Sequence, residues 1–114
     1  MARLDGNTTV AVELLYFEGC PHWRQAAAAI ADAARVTGIR SDVRATRVSD
    51  PEDAVRHHFL GSPTVRVAGR DVDPAAQQRS AYALACRVYD SEAGRAWSPP
   101  VGWIAAALHE AAGA

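Results

Sequence analysis

The amino-acid sequence predicts a small α/β protein with a mixed four-stranded sheet, element order βαβ-α-ββ-α, and helices on both faces. Its 114 residues allow one hydrophobic core, so we expect a single domain spanning 1–114. Strand-like and helical patterns alternate through the first half, and a hairpin and a last helix follow. Because a βαβ unit crosses over right-handed, its two strands run parallel, and the hairpin adds antiparallel strands.

The first strand and helix carry the strongest patterns. The segment "TTVAVELLYF", residues 8–17, is almost continuously apolar and β-branched, which is typical of a central strand. From Pro21 onward, apolar residues recur at helical spacing. Proline is favoured in the first helical turn, so Cys20 is predicted at the N-cap or just before it. Gly38 is the predicted end of this helix.

The second half contains a short strand, a short helix, a hairpin and a last helix. Residues 41–48 alternate in polarity, as a half-buried strand does. Asp50 is the predicted cap of a helix beginning at Pro51. Residues 64–74 read as two short strands around an Ala-Gly turn. Ser98 is the predicted cap of the last helix.

Residues 75–97 show the weakest pattern in the chain. A structureless loop of that length is unusual in a compact domain. Tyr82, Cys86 and Tyr89 are spaced for one face of a helix, so the sequence predicts one or two helical turns here.

Composition and charge exclude several kinds of partner. The net charge is −1 and the 12 basic residues, all Arg, form no run, so we expect neither nucleic acid nor a membrane surface as partner. No segment reaches the roughly 20 apolar residues of a membrane span. Residues 1–10 are polar and lack the apolar region of a secretory signal. We therefore expect a cytoplasmic protein, monomeric or homodimeric, without a structural disulfide.

Two short motifs point to a family. In "FEGCPHW", Cys20 lies between the first strand and the first helix, and "GSPT", residues 61–64, precedes the hairpin. Pro63 follows Cys20 by 43 positions. Together they resemble the active-site turn and the cis-proline loop of the thioredoxin-like superfamily. The segment "YALACRVY" resembles small thioredoxin-like proteins of high-GC bacteria, some labelled alkylmercury lyase-like.

The resemblance implies a thioredoxin-like fold and a site centred on Cys20. Trp23 occupies the position of the second cysteine of the family's dithiol members, so exchange within Cys-x-x-Cys is impossible. Pro63 is expected to be cis and to lie against the thiol, with Ser62 offering its backbone edge to an incoming peptide or thiol compound. Trp23, Ser62, Pro63 and Thr64 are thus the predicted substrate-binding residues. No cofactor and no resident metal are expected.

The two cysteines each leave two interpretations open. A helix start favours the thiolate, which is the reactive form, and a protonated His22 would add to this effect at Cys20. The alternative for Cys20 is a buried structural thiol. Cys86 resolves a mixed disulfide if its segment folds near Cys20, or it is a core residue if it lies inside a helix.

Three functions remain compatible with these residues. The first is a thiol-disulfide oxidoreductase in which Cys20 forms mixed disulfides with a protein or small-molecule substrate. The second is an organomercurial or soft-metal protein, in which Cys20 and Cys86 hold the metal and Glu18, Asp71 or Asp73 supplies a proton. The third is a non-catalytic binding module that keeps the fold as a scaffold.

Overall fold

A computed structural model of the chain describes residues 9–113. Two predictions concern residues before Thr9 and so fall outside the described range. One is the lack of a secretory signal, which was read from residues 1–10, and the other is the placement of Thr8 in the first strand. The elements, in chain order, are β1 (Thr9–Tyr16), α1 (Trp23–Thr37), β2 (Arg40–Arg47), α2 (Pro51–Arg56), β3 (Thr64–Val67), β4 (Arg70–Asp71), a 3₁₀ turn (Ala76–Gln78), β5 (Tyr89–Ser91), β6 (Gly94–Ala96) and α3 (Val101–Gly113). Within the described part of the chain, no helix is both long and apolar enough to cross a bilayer.

The main sheet is mixed and four-stranded, as predicted. Its strand order is β2-β1-β3-β4, with β1 parallel to β2 and antiparallel to β3, and β3 antiparallel to β4. The β3–β4 hairpin turns at Ala68 and Gly69, whose φ angles of 52° and 83° suit a two-residue hairpin turn. β5 and β6 form a separate two-stranded sheet.

Helices cover the two faces of the sheet unequally. α1 and α3 pack on one face, where their buried side chains meet those of β1 and β3 in the larger core cluster. A smaller cluster joins α2 to the other face and consists of Leu15, Val48, Ala54 and Phe59. Leu15 points away from the larger cluster because successive strand residues alternate between faces. The predicted placement of helices on both faces is confirmed, although α2 covers only one end of its face.

The start of α1 differs from the prediction. The helix begins at Trp23, and His22, not Cys20, is the residue before its first turn. Pro21 and His22 form a turn of their own, so Cys20 lies one turn ahead of the helix. The predicted end is correct: Gly38 adopts the left-handed conformation, with φ 71°, and its N–H bonds to the helix.

The short helix α2 is capped as predicted, but α3 is not. The Asp50 side chain accepts the N–H of Asp53 at 2.8 Å, and Pro51 follows as the first helical residue. α3 begins at Val101, and the Ser98 hydroxyl contacts the carbonyl of Pro99 instead of the helix. The prediction of Ser98 as a cap is therefore wrong.

Residues 75–97 do not form the predicted helix beyond the single 3₁₀ turn. Tyr82 and Cys86 lie in irregular chain, and Tyr89 begins β5. Residues 83–87 bond to a distant loop, beginning with the Ala83 N–H, which donates to the carbonyl of Phe59 at 3.1 Å, and residues 89–96 pair with each other as the β5–β6 hairpin. The spacing of the two tyrosines and the cysteine matched a helix face by coincidence.

Candidate thiol site

Cys20 lies in the turn between β1 and α1. Its N–H donates to the carbonyl of Phe17 at 3.0 Å, which closes the turn. Its Sγ accepts the N–H of His22 at 3.4 Å. A backbone donor is therefore aimed at the sulfur. The residue is 4% exposed, so the turn also shields the sulfur from solvent.

The loop of residues 61–64 lies against this turn. The Ser62–Pro63 peptide bond is cis, as expected from the motif. The Ser62 hydroxyl accepts the N–H of Phe17 at 3.4 Å, so it ties the loop to the turn that carries Cys20. Ser62 and Pro63 are both buried. The structure thus joins the proline loop, through Ser62 and Phe17, to the turn that carries Cys20, and the contact of Pro63 with the thiol stays a prediction.

The two aromatic residues after Cys20 have different partners. The His22 imidazole stacks on the indole of Trp97, with ring centroids 4.9 Å apart and planes at 6°. Trp97 is 48% exposed, so this stack forms part of the surface next to the cysteine turn. Trp23 stacks on Tyr16 at 4.9 Å and packs against the larger core cluster. Trp23 therefore packs against the core at the start of α1, and its contact with a substrate stays a prediction.

Thr64 faces the interior of the protein. Its hydroxyl donates to the carbonyl of Gly61 at 2.6 Å and accepts from Nη1 of Arg87 at 3.0 Å. The residue is fully buried. The hydroxyl of Thr64 thus makes both of these hydrogen bonds within the chain, and it links the proline loop to Arg87.

Residues 83–89, the covering segment, lie beside the proline loop. The Ser62 N–H donates to the carbonyl of Ala85 at 2.8 Å, and the Ser62 carbonyl accepts the N–H of Arg87 at 2.9 Å. These bonds form a parallel bridge between Ser62 and Cys86. The expectation that Ser62 offers a free backbone edge is wrong, because residues of the same chain occupy it.

Cys86 lies on the covering segment and is exposed. It is neither inside a helix nor in the core, so the interpretation of Cys86 as a core residue is wrong. The segment does fold against Ser62, which contacts the Cys20 turn through its hydroxyl. The condition for a resolving role was that the segment carrying Cys86 folds near Cys20 itself, and that role remains a prediction.

Arg87 anchors the covering segment. Its side chain has no exposed area, and it forms a two-pronged ion pair with Asp71, at 2.8 and 3.0 Å. A second contact of 3.4 Å joins Nη2 to Asp73. Burial acts to lower the pKa of Arg87, but the hydrogen bonds that Arg87 donates to Asp71 and the nearby charges reverse this and raise it. The buried guanidinium therefore stays charged and holds both carboxylates.

Tyr89 provides the second anchor. Its hydroxyl donates to the carbonyl of Pro63, and its ring lies 4.5 Å from the guanidinium carbon of Arg87. Burial raises the pKa of Tyr89 well above its ordinary value, so the phenol remains protonated and able to donate. Both residues thus bond to the proline loop, Arg87 through the hydroxyl of Thr64 and Tyr89 through the carbonyl of Pro63.

The carboxylates considered as proton donors for an organomercurial reaction all have cationic partners. Asp71 and Asp73 pair with Arg87, and Glu18 pairs with Arg47 at 2.6 Å. Each of these carboxylates therefore already accepts a hydrogen bond from a guanidinium of the same chain. Over residues 9–113, no three or more His, Cys, Asp or Glu side chains converge in a way that could hold a metal ion.

Sequence reasoning missed Arg87 and Tyr89 as residues that shape the site. Arg87 stands between apolar residues in "ACRVYD", which is a weak signal of a buried charge. Nothing local in the sequence shows that an arginine 16 and 14 positions away pairs with Asp71 and Asp73. Tyr89 was assigned to a helix face, which hid its contact with Pro63.

Comparisons with known proteins return nothing: no protein-family model, no curated protein and no solved structure matches this chain.

Proposed function

We propose that this protein is a cytoplasmic thiol-disulfide oxidoreductase of thioredoxin-like type, with Cys20 as its single nucleophile. The observation that carries the proposal is the setting of the Cys20 sulfur. It accepts the backbone N–H of His22 ahead of α1, in a turn tied to the Ser62–Pro63 loop. The strand order β2-β1-β3-β4, with the cysteine just after β1, agrees with a thioredoxin-like arrangement.

The first step is a thiol-disulfide exchange. The Cys20 thiolate attacks one sulfur of a substrate disulfide, forms a mixed disulfide and displaces the other sulfur as a thiolate, which takes up a proton. The backbone N–H of His22 stabilises the attacking anion, and the imidazole of His22, when protonated, adds a positive charge nearby. Trp23 offers no second thiol, so this mixed disulfide cannot be resolved within the helix turn.

The second step has two routes. An external small thiol attacks the mixed disulfide, takes the bound half of the substrate as a new disulfide and returns Cys20 as a thiolate. Alternatively, the Cys86 thiolate attacks the Cys20 sulfur, releases the bound half as a thiol and leaves a Cys20–Cys86 disulfide. Two external thiols then reduce that disulfide and are themselves oxidised to one disulfide. The exposure of Cys86 and its place opposite Ser62 support the second route.

A non-catalytic binding module is the competing function. The burial of Cys20, which is 4% exposed, favours it, because an inert cysteine is usually buried. The surface available to a partner would then include the stack of His22 on Trp97, since Trp97 is largely exposed.

Turnover of a small disulfide separates these functions. We expect the protein to accelerate the reduction of hydroxyethyl disulfide by a small thiol, and Cys20→Ser to return the rate to the uncatalysed background. Cys86→Ser is the matched control, and its residual rate identifies the route of the second step. If Cys20→Ser is as active as the unmodified protein, the oxidoreductase proposal fails.

A further inference from the structure

The covering segment occupies the backbone edge of the proline loop at Ser62. Extended peptides bind proteins by adding a strand to a free edge, with main-chain hydrogen bonds providing the affinity. Beside the proline loop, both main-chain groups of Ser62 already bond to the covering segment, one to Ala85 and one to Arg87. A further bond joins Ala83 to Phe59. A peptide reaching this edge would find no main-chain partner.

The contact between the loop and the covering segment is unusually close. Gly61 has a φ of 125°, a conformation that side chains rarely adopt. A Cβ atom at this position would lie 2.9 Å from Cβ of Arg87 and 3.1 Å from the carbonyl oxygen of Ala85. The two backbones approach this closely only because position 61 has no side chain.

Side chains hold the covering segment along its whole length. Tyr82, just before it, stacks on His58 at 5.0 Å, and Leu84 packs against the smaller core cluster. Further along, Arg87 and Tyr89 are fully buried. Lifting the segment would separate the guanidinium from its carboxylates and expose the phenol, both of which are costly. These contacts are typical of a fixed part of the fold. A lid that opens would be held by weaker contacts.

We infer that the covering segment limits the thiol site to compact thiol and disulfide compounds and excludes extended polypeptides. This inference rests on the proposed function, because it concerns which molecules Cys20 attacks. A compact disulfide needs only to align one sulfur with that of Cys20, and it needs no main-chain bonds to Ser62. A polypeptide disulfide would have to approach without the strand pairing that normally orients it.

Two probes with the same leaving group test this directly. One is the mixed disulfide of thionitrobenzoate with mercaptoethanol, and the other is the mixed disulfide of thionitrobenzoate with a cysteine in a short unstructured peptide. Absorbance reports the thionitrobenzoate released by either. The measurement uses the full chain carrying Cys86→Ser, so that only Cys20 reacts.

We expect the compact probe to react faster by about tenfold or more, because the peptide must bring main-chain groups against the covered edge without hydrogen-bond partners there, a cost that the compact probe avoids. Gly61→Ala, which pushes the covering segment away, should reduce this preference. Gly69→Ala is the matched control, because Gly69 also has a positive φ, of 83°, but no atom lies within 4 Å of the added Cβ. It should leave the preference unchanged.

The outcomes separate the inference from the function on which it rests. Equal rates for the two probes overturn the inference and leave the oxidoreductase in place. Failure of both probes to react overturns both.

Hydrogen exchange at the amides of Ser62 and Arg87 gives a second measurement that does not depend on Gly61→Ala folding. If these two amides exchange only when the whole protein unfolds, the covering segment is a fixed part of the fold, as inferred. Exchange through a much easier local opening shows that the segment is a lid, and it overturns the inference.

Discussion

Replacing Arg87 with methionine should destabilise the fold strongly. Methionine keeps an unbranched side chain in the space but removes the charge, so Asp71 and Asp73, with side chains 13% and 11% exposed, lose their partner. Removing one member of a buried ion pair costs about 3–5 kcal/mol. Because domains unfold at a cost of about 5–15 kcal/mol, the loss is about a fifth or more of a typical total.

Urea unfolding followed by tryptophan fluorescence measures this cost. The matched control is Arg95→Met, since Arg95 pairs with Asp90 on the surface, where the two side chains are 75% and 68% exposed. An exposed pair is worth less than about 1 kcal/mol. Adding Asp71→Asn to Arg87→Met should recover part of the loss, because it removes an uncompensated charge. If Arg87→Met costs no more than Arg95→Met, Arg87 does not anchor the covering segment.

Three further perturbations follow from the same contacts. Gly61→Ala should lower the free energy of unfolding by more than Gly69→Ala, which carries only the strain of a positive φ, about 1–2 kcal/mol; equal losses would contradict the close approach to Arg87. Burial raises the pKa of Tyr89 above its unfolded value of about 10. The contribution of Tyr89 to the free energy of unfolding is therefore complete below pH about 10 and is lost as the pH rises towards the folded pKa. Urea unfolding from pH about 8 to 11 should show this decline, and Tyr89→Phe should flatten it. Asp50→Ala should cost about 0.5–2 kcal/mol in the same assay, and a negligible change would mean that its bond to the start of α2 does not contribute.

Local patterns were sufficient to predict most of the fold. The apolar run of β1 and the helical stripe that includes Ile30 are properties of consecutive residues, as is the cap formed by Asp50. They identify elements without knowledge of the rest of the chain. The start of α1 was misplaced because Pro21 suits either a helical first turn or the separate turn that it adopts.

The covering segment could not be predicted, because its structure depends on partners distant in sequence. The bonds of Ser62 to Ala85 and Arg87 produce no periodic pattern in the sequence. The spacing of Tyr82 and Cys86 matches a helix, and it was misleading. The position of the cysteine turn was predictable from the motif, since one strand and one helix flank it. The occupied edge beside it was not, and that edge determines which substrates we expect.

Site-resolved alkylation of the native protein tests the central claim most directly. The rate at which iodoacetamide labels Cys20 is measured by mass spectrometry, with and without a mild oxidant, and compared with labelling after unfolding. Exposed Cys86 serves as the internal reference. A reactive thiol predicts that Cys20 is labelled in the folded protein and is protected after oxidation by a disulfide that reductant reverses. If Cys20 reacts only once the protein unfolds, it is a structural cysteine and the oxidoreductase account is contradicted.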